Sequence, residues 1–394
     1  MAAVAVPGQI AREAPQASTP PSSPKKHAPR LLVLDGLRLV AATMVVAGHW
    51  LGTGIIYVPY GPTVKPWGKL GEQQFPGLTH SFAAWGWMGV ELFFLISGFV
   101  ICMSAWGRSL GQFGLSRVAR LFPAYWFGVL VSAGVLVFLP SLGAKPRSGF
   151  ASDLMTNLTM AQTAYGVGNL DAVYWTLWQE LLFYLLFGIV VAMGLTYRRV
   201  VLFCCAWTVA SLIAAASGDS LLNAAVQPHY SPFFISGVAF FLMYKFGPTM
   251  LLWGLVVFSF LLGQHGLYND AVTGAKAWNW HDPMWHGTAI LITFYVIMSL
   301  VATHKLDWIR WRFLITAGAL TYPLYLLHQD IGFTAIKYLH DKIAPWPLVL
   351  GLYAAMLVFS WLVHRLVEKP GSRWLRKGIN KSLAAMHEAP AANA

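Results

Sequence analysis

The chain has 394 residues, of which 57% are hydrophobic and only 11% charged, with a formal net charge of +12. A soluble domain carries about 25% charged residues, and its surface limits how much apolar material it can enclose. A water-soluble globule is therefore excluded, and lipid must be the solvent for most of the chain.

Residues 1–30 are rich in Ala, Pro and Ser and end in Lys25, Lys26 and Arg30. This reads as a disordered cytoplasmic tail. The following apolar run starts too late for a secretory signal and lacks a small-residue cleavage site.

Ten apolar segments then follow, at about 31–51, 84–105, 121–140, 174–194, 200–217, 230–246, 249–264, 286–303, 314–335 and 346–367. Roughly 20 apolar residues cross a bilayer. The expected fold is an all-α polytopic transmembrane helical bundle of about ten spans, covering residues 31–373, with a cytoplasmic C-terminal tail at 374–394. An even count puts both termini on one side. With the N-terminus in the cytoplasm, 19 Lys and Arg fall in inner segments and seven in outer ones. This bias follows the positive-inside pattern. It explains most of the positive charge, so nucleic-acid binding is not needed. The long outer connections, at about 52–83, 141–173 and 265–285, are expected to cap the bundle. Cys102, Cys204 and Cys205 lie in apolar runs with no metal-ligand or disulfide spacing.

Ionisable groups inside spans are costly and mark function by default. Arg38 and His49 lie on the first span, eleven residues apart. That spacing is about 16 Å of rise and within roughly 20° of three full turns, so both share one helical face. Glu91 lies in the outer half of the second span, with Ser97 at mid-depth. Glu180, within YWTLWQELLFY, lies in the outer half of the fourth, and His328 past the midpoint of the ninth. Span direction thus gathers His49, Glu91, Glu180 and His328 toward the outer side. At the inner surface, GRSLGQFGLSRVARLFPAYW brings together Arg108, Arg117 and Arg120. Arg117 and Arg120 would share a helix face, and guanidinium forks suit phosphate oxygens.

These segments resemble the membrane acyltransferase-3 family. LDGLRLVAATMVVAGHW is similar to its first-span Arg–His motif, and GVELFFLISGF to its second-span motif, where Asp is common at the position of Glu91. The arginines before FPAYW resemble its basic inner loop. VYWTLWQELLFYLLF resembles its Trp-Ser-Leu…Glu…Phe-Tyr stretch, with Thr176 in place of Ser. TYPLYLLH and EKPGSR resemble its later motifs. The wording is closest to actinobacterial members, a branch that includes enzymes acylating macrolides and their sugars.

The resemblance implies acyl transfer from acyl-CoA, acetyl or short-chain, as co-substrate, with no permanently bound cofactor and no metal. The acceptor would be a hydroxyl of a sugar, glycolipid or macrolide, and the place the cell membrane. In this reading Arg117, Arg120 and Arg38 offer an electropositive mouth to the CoA phosphates. His49 acts as general base, Glu180 orients it, and His328 or Tyr325 bonds the carbonyl oxygen as negative charge develops. Ser97 is a weak candidate for a covalent nucleophile. The competing class is a transporter or channel for a small polar solute. It would call for an inverted repeat and charges lining a path to both sides, and neither is visible.

Overall fold

The computed structural model describes residues 31–53, 64–139, 148–278 and 283–388; the expected N-terminal tail lies outside them. Among the described residues the chain is helical, without strands. In chain order the helices are α1 (Leu32–Ala47), α2 (Gly71–Gln74), α3 (Leu78–Ala84), α4 (Gly89–Ala105), α5 (Leu110–Phe138), α6 (Phe150–Leu158) and α7 (Trp175–Ala192). There follow α8 (Tyr197–Ser217), α9 (Ser220–Val226), α10 (Ser231–Phe246), α11 (Met250–Trp278), α12 (Met284–Ala302), α13 (Phe313–Leu339), α14 (Pro345–Val363) and α15 (Lys369–Glu388). A π-helical turn at Gly48–Thr53 extends α1, and another at His364–Glu368 joins α14 to α15.

Each of the ten expected spans falls on one of these helices. Among the described residues, eight helices are long and apolar enough to cross a membrane. The other two are α10, only 16 residues long, and α13, whose apolar run is diluted by Thr321, His328, Gln329 and Asp330, all buried.

Three boundaries differ from the expectation. The arginine-rich stretch before Pro123 is not a loop. Ser109 accepts a hydrogen bond from the Gln112 amide, and the Gln112 side chain accepts one from the Ser109 amide. This reciprocal cap starts α5 at Leu110, so Arg117 and Arg120 stand on a helix. The third outer connection is likewise shorter, because α11 runs on to Trp278. Residues 265–278 are too polar to read as a span, yet no proline stops them until Pro283. The segment from 374, expected as a tail, continues α15 to Glu388.

Helix α4 lies at the centre, packed against α10 and α1, while α13 packs against α1, α5 and α14. The α4–α10 contact is close because Gly98 faces Gly237. A methyl group on either would overlap the backbone carbonyl of the other helix, at Phe234 or Leu95. Small residues at such crossings let backbones approach where lipid offers no hydrophobic drive. The EKPGSR segment braces α5 in turn: Gly371 sits against Pro123, and the Ser372 hydroxyl donates to the Ala119 carbonyl, beside Arg120.

Candidate active site

A cavity runs between α1, α4, α5, α7 and α13, with about 740 Å³ of empty space, its open mouth included. Its basic end holds Arg38, Arg117 and Arg120. Arg38 lies 3.7 Å from Asp35, one helical turn before it. Arg117 is buried, donates to the hydroxyls of Ser104 and Ser116 at 3.2 Å, and lies over the Tyr184 ring. At mid-length Ser97 donates to Glu180 Oε1 at 2.9 Å. Three guanidinium groups against the single lining carboxylate, Glu180, give the cavity a surplus of positive charge, softened at Arg38 by Asp35.

The other end is apolar: Val90, Phe93, Leu177 and Tyr325 line it. The Tyr325 ring packs edge-on against Phe93 at 5.6 Å. Its hydroxyl lies 2.7 Å from that of Thr176 and 3.2 Å from the Val173 carbonyl, to which it donates. The ring is thereby pinned across the end of the cavity.

Behind Tyr325 stand two histidines that do not line this cavity. His49 Nδ1 lies 2.8 Å from His328 Nε2, with the ring planes within 10° of parallel. Hydrogen-bond logic fixes the tautomers of the neutral pair. His328 Nδ1 faces the carbonyls of Tyr325 at 2.8 Å and Leu324 at 3.2 Å. Carbonyls only accept, so this nitrogen carries the hydrogen and Nε2 is bare. His49 Nδ1 then donates to it, which leaves the lone pair of His49 on Nε2. An imidazole held this way is a proton acceptor at one defined atom.

Local structure holds the pair in register. His49 sits in the π-helical turn that ends the first span, a geometry found often at functional sites. Trp50 Nε1 donates to the His328 carbonyl at 3.2 Å, and Trp67 Nε1 donates to the Trp50 carbonyl at 2.8 Å. The segment after the first span thus ties α1 to α13.

Of the residues singled out from sequence, Arg38, Arg117, Arg120, Ser97, Glu180 and Tyr325 meet in one cavity, and His49 meets His328 one ring away. The hydrogen-bonding partner of His49 is His328 rather than Glu180, which is held by Ser97. Glu91 faces the other side of α4, into a separate cleft with His229 and Asp270. Sequence reading passed over Tyr184, Tyr322 and Asp35. Asp35 had a signal, its spacing of three residues before Arg38. Among the described residues, no three His, Cys, Asp or Glu side chains are grouped to hold a metal ion.

A family model described as an acyltransferase domain matches residues 31–365, most of the chain. The chain belongs to the membrane acyltransferase-3 family. It is accordingly a multi-pass membrane acyltransferase. Comparison with curated proteins and with solved structures gives no match.

Proposed function

We propose that this acyltransferase moves a short acyl group from acyl-CoA to a hydroxyl of a carbohydrate, glycolipid or glycosylated secondary metabolite of the macrolide type, in the cytoplasmic membrane. One observation carries the reading: a cavity with three arginines at one end stops a single side chain short of a paired histidine. Arginine forks suit the phosphates of a nucleotide. The apolar far end suits a thioester with a short acyl chain. The Lys and Arg distribution supports a cytoplasmic side for both termini and the arginine end, the side where CoA thioesters are made.

In this reading the acceptor oxygen attacks the thioester carbonyl while His49 Nε2 takes the hydroxyl proton. The C–S bond breaks, and the proton passes from the imidazolium to the departing thiolate, giving ester and free CoA. His328 Nε2 accepts the His49 Nδ1–H throughout, and the bond strengthens as His49 becomes charged. Glu180 holds Ser97 and offsets part of the arginine charge while the cavity is empty. The Tyr325 ring, 5.9 Å from that of His328, is the wall that must turn aside for the carbonyl to reach His49.

The test is to incubate the purified protein with acetyl-CoA and short-chain acyl-CoA, together with extracted glycans, lipids or secondary metabolites, and to search for mass-shifted products. Release of CoA with no acylated product in any pool would remove the acceptor class. No CoA release at all would remove the donor.

A further inference from the structure

We propose that the cleft between α4, α10, α11 and α12 binds a primary ammonium group, with Glu91 as its counter-ion. This site lies across α4 from the arginine-lined cavity and does not depend on the acyl-transfer reading.

Glu91 is 4% exposed, lines the cleft, and its Oε2 has no hydrogen-bond partner. A buried carboxylate oxygen left unpaired is strongly unfavourable. At the rim, His229 Nε2 lies 3.0 Å from Asp270 Oδ2, with both side chains about a third exposed. His229, edge-on to Tyr230 at 4.5 Å, supplies the partner for Asp270. No cationic side chain lines the cleft beside Glu91. With Asp270 paired to His229, an ionised Glu91 has no counter-ion among the lining side chains.

Size and walls narrow the chemistry. The enclosed part is about as large as one water molecule, within about 230 Å³ that includes its open mouth. An ammonium head is of that size and carries three N–H donors, one of which would satisfy Glu91 Oε2, with the Asp270 carboxylate at the rim of the same cleft. The remaining walls are Trp87, Met88, Phe233, Leu267 and Leu291. Aromatic faces attract cations, and aliphatic walls suit the carbon body of an amine better than the oxygen shell of a metal ion. Gly263 and Gly266 form part of the wall on α11. A Cβ at Gly263 would come within 2.9 Å of the Phe233 ring.

The test uses the full-length protein in phosphatidylcholine nanodiscs. Its melting temperature is followed against methylammonium or glucosamine chloride, with tetramethylammonium and sodium chloride at matched ionic strength as controls. The two primary amines should raise the melting temperature saturably, and the controls should not. Glu91→Gln should abolish the response, and Asp270→Asn, at the exposed rim, should weaken the apparent affinity about tenfold. Equal responses to all four salts would overturn the proposal, as would a flat response to all of them, which would leave Glu91 a neutral acid. An undiminished response in either variant would overturn it too, and Asp270→Asn suffices if Glu91→Gln does not fold. Phosphatidylethanolamine discs identify the source. If they raise the melting temperature and silence the methylammonium response, the ligand is a lipid headgroup; if the response persists, it is a soluble amine.

Discussion

The two faces of α4 carry opposite electrostatics. On one, Arg38, Arg117 and Arg120 surround Glu180 and Ser97 in a long cavity. On the other, Glu91 and Asp270 face a small cleft with His229 alone to balance them. Sequence places both Glu91 and Glu180 in the outer halves of their spans, yet α4 stands between the spaces they line. Depth in a membrane says which charges are costly; the helix face on which they lie says which compartment they serve. The first face fits an anionic donor and the second a cation, and the same helix walls both.

The largest expected effect comes from the end of the arginine face. His49→Ala should lower transfer by a factor of about 10² to 10⁴, the usual contribution of a general base. Melting temperature and CoA binding should stay intact. A variant that transfers at the parent rate would move the chemistry away from the histidine pair.

Next is the double variant Arg117→Ala/Arg120→Ala. Charge-assisted contacts are worth about 1.5–3 kcal/mol each, less where solvent competes. The KM for acyl-CoA should therefore rise about 10- to 100-fold, with a smaller change in kcat, because phosphate anchoring is mostly uniform binding. Steady-state kinetics with varied donor check this, and an unchanged KM would place the phosphates elsewhere.

His328 sharpens the comparison within the site. His328→Ala removes the acceptor for His49 Nδ1–H and should lower kcat about tenfold, as expected for one hydrogen bond to a charged group. His328→Gln keeps a carbonyl oxygen there and should recover much of the loss, with donor KM unchanged in both. If Gln is as poor as Ala, His328 does more than hold a tautomer.

The spans were legible because lipid imposes a length and an apolarity that a one-dimensional pattern carries directly. The Arg38–His49 pair was legible for the same reason: both lie on one helix, and helix geometry converts spacing into distance. The His49–His328 bond joins residues 279 apart on different helices, and nothing in either local pattern reports it. Glu180 looked like the partner of His49 because hydropathy gives depth and not azimuth. The start of α5 was readable in principle, from Ser109 and Gln112 three residues apart, but the basic run drew the reading toward a loop. The polar end of α11 hid its helix, since apolarity is a poor guide where a helix leaves the membrane.

The smallest effect concerns pH and the cap over the apolar end of the cavity. Asp171 accepts hydrogen bonds from the Val173 and Asp330 amides, tying the segment before α7 to α13. Burial raises its carboxyl from the ordinary 3.8 to about 7, although those amides pull the other way. Between about pH 4 and 7 the folded protein then holds a proton that the unfolded chain has lost, so stability falls as pH rises through that window. Asp171→Asn should flatten the decline in melting temperature over this range, and an unchanged slope would assign it to another group.

The central claim is that donor binding and proton transfer are divided between the arginine end and the histidine pair. It is tested most directly by measuring CoA binding and single-turnover acetyl transfer on the same three proteins: the parent, His49→Ala and Arg117→Ala/Arg120→Ala. The account predicts that His49→Ala binds CoA like the parent and transfers almost nothing. It also predicts that the arginine variant binds CoA at least tenfold more weakly, yet transfers near the parent rate once saturated. Parent-like CoA affinity in the arginine variant, or parent-like turnover in His49→Ala, would contradict it.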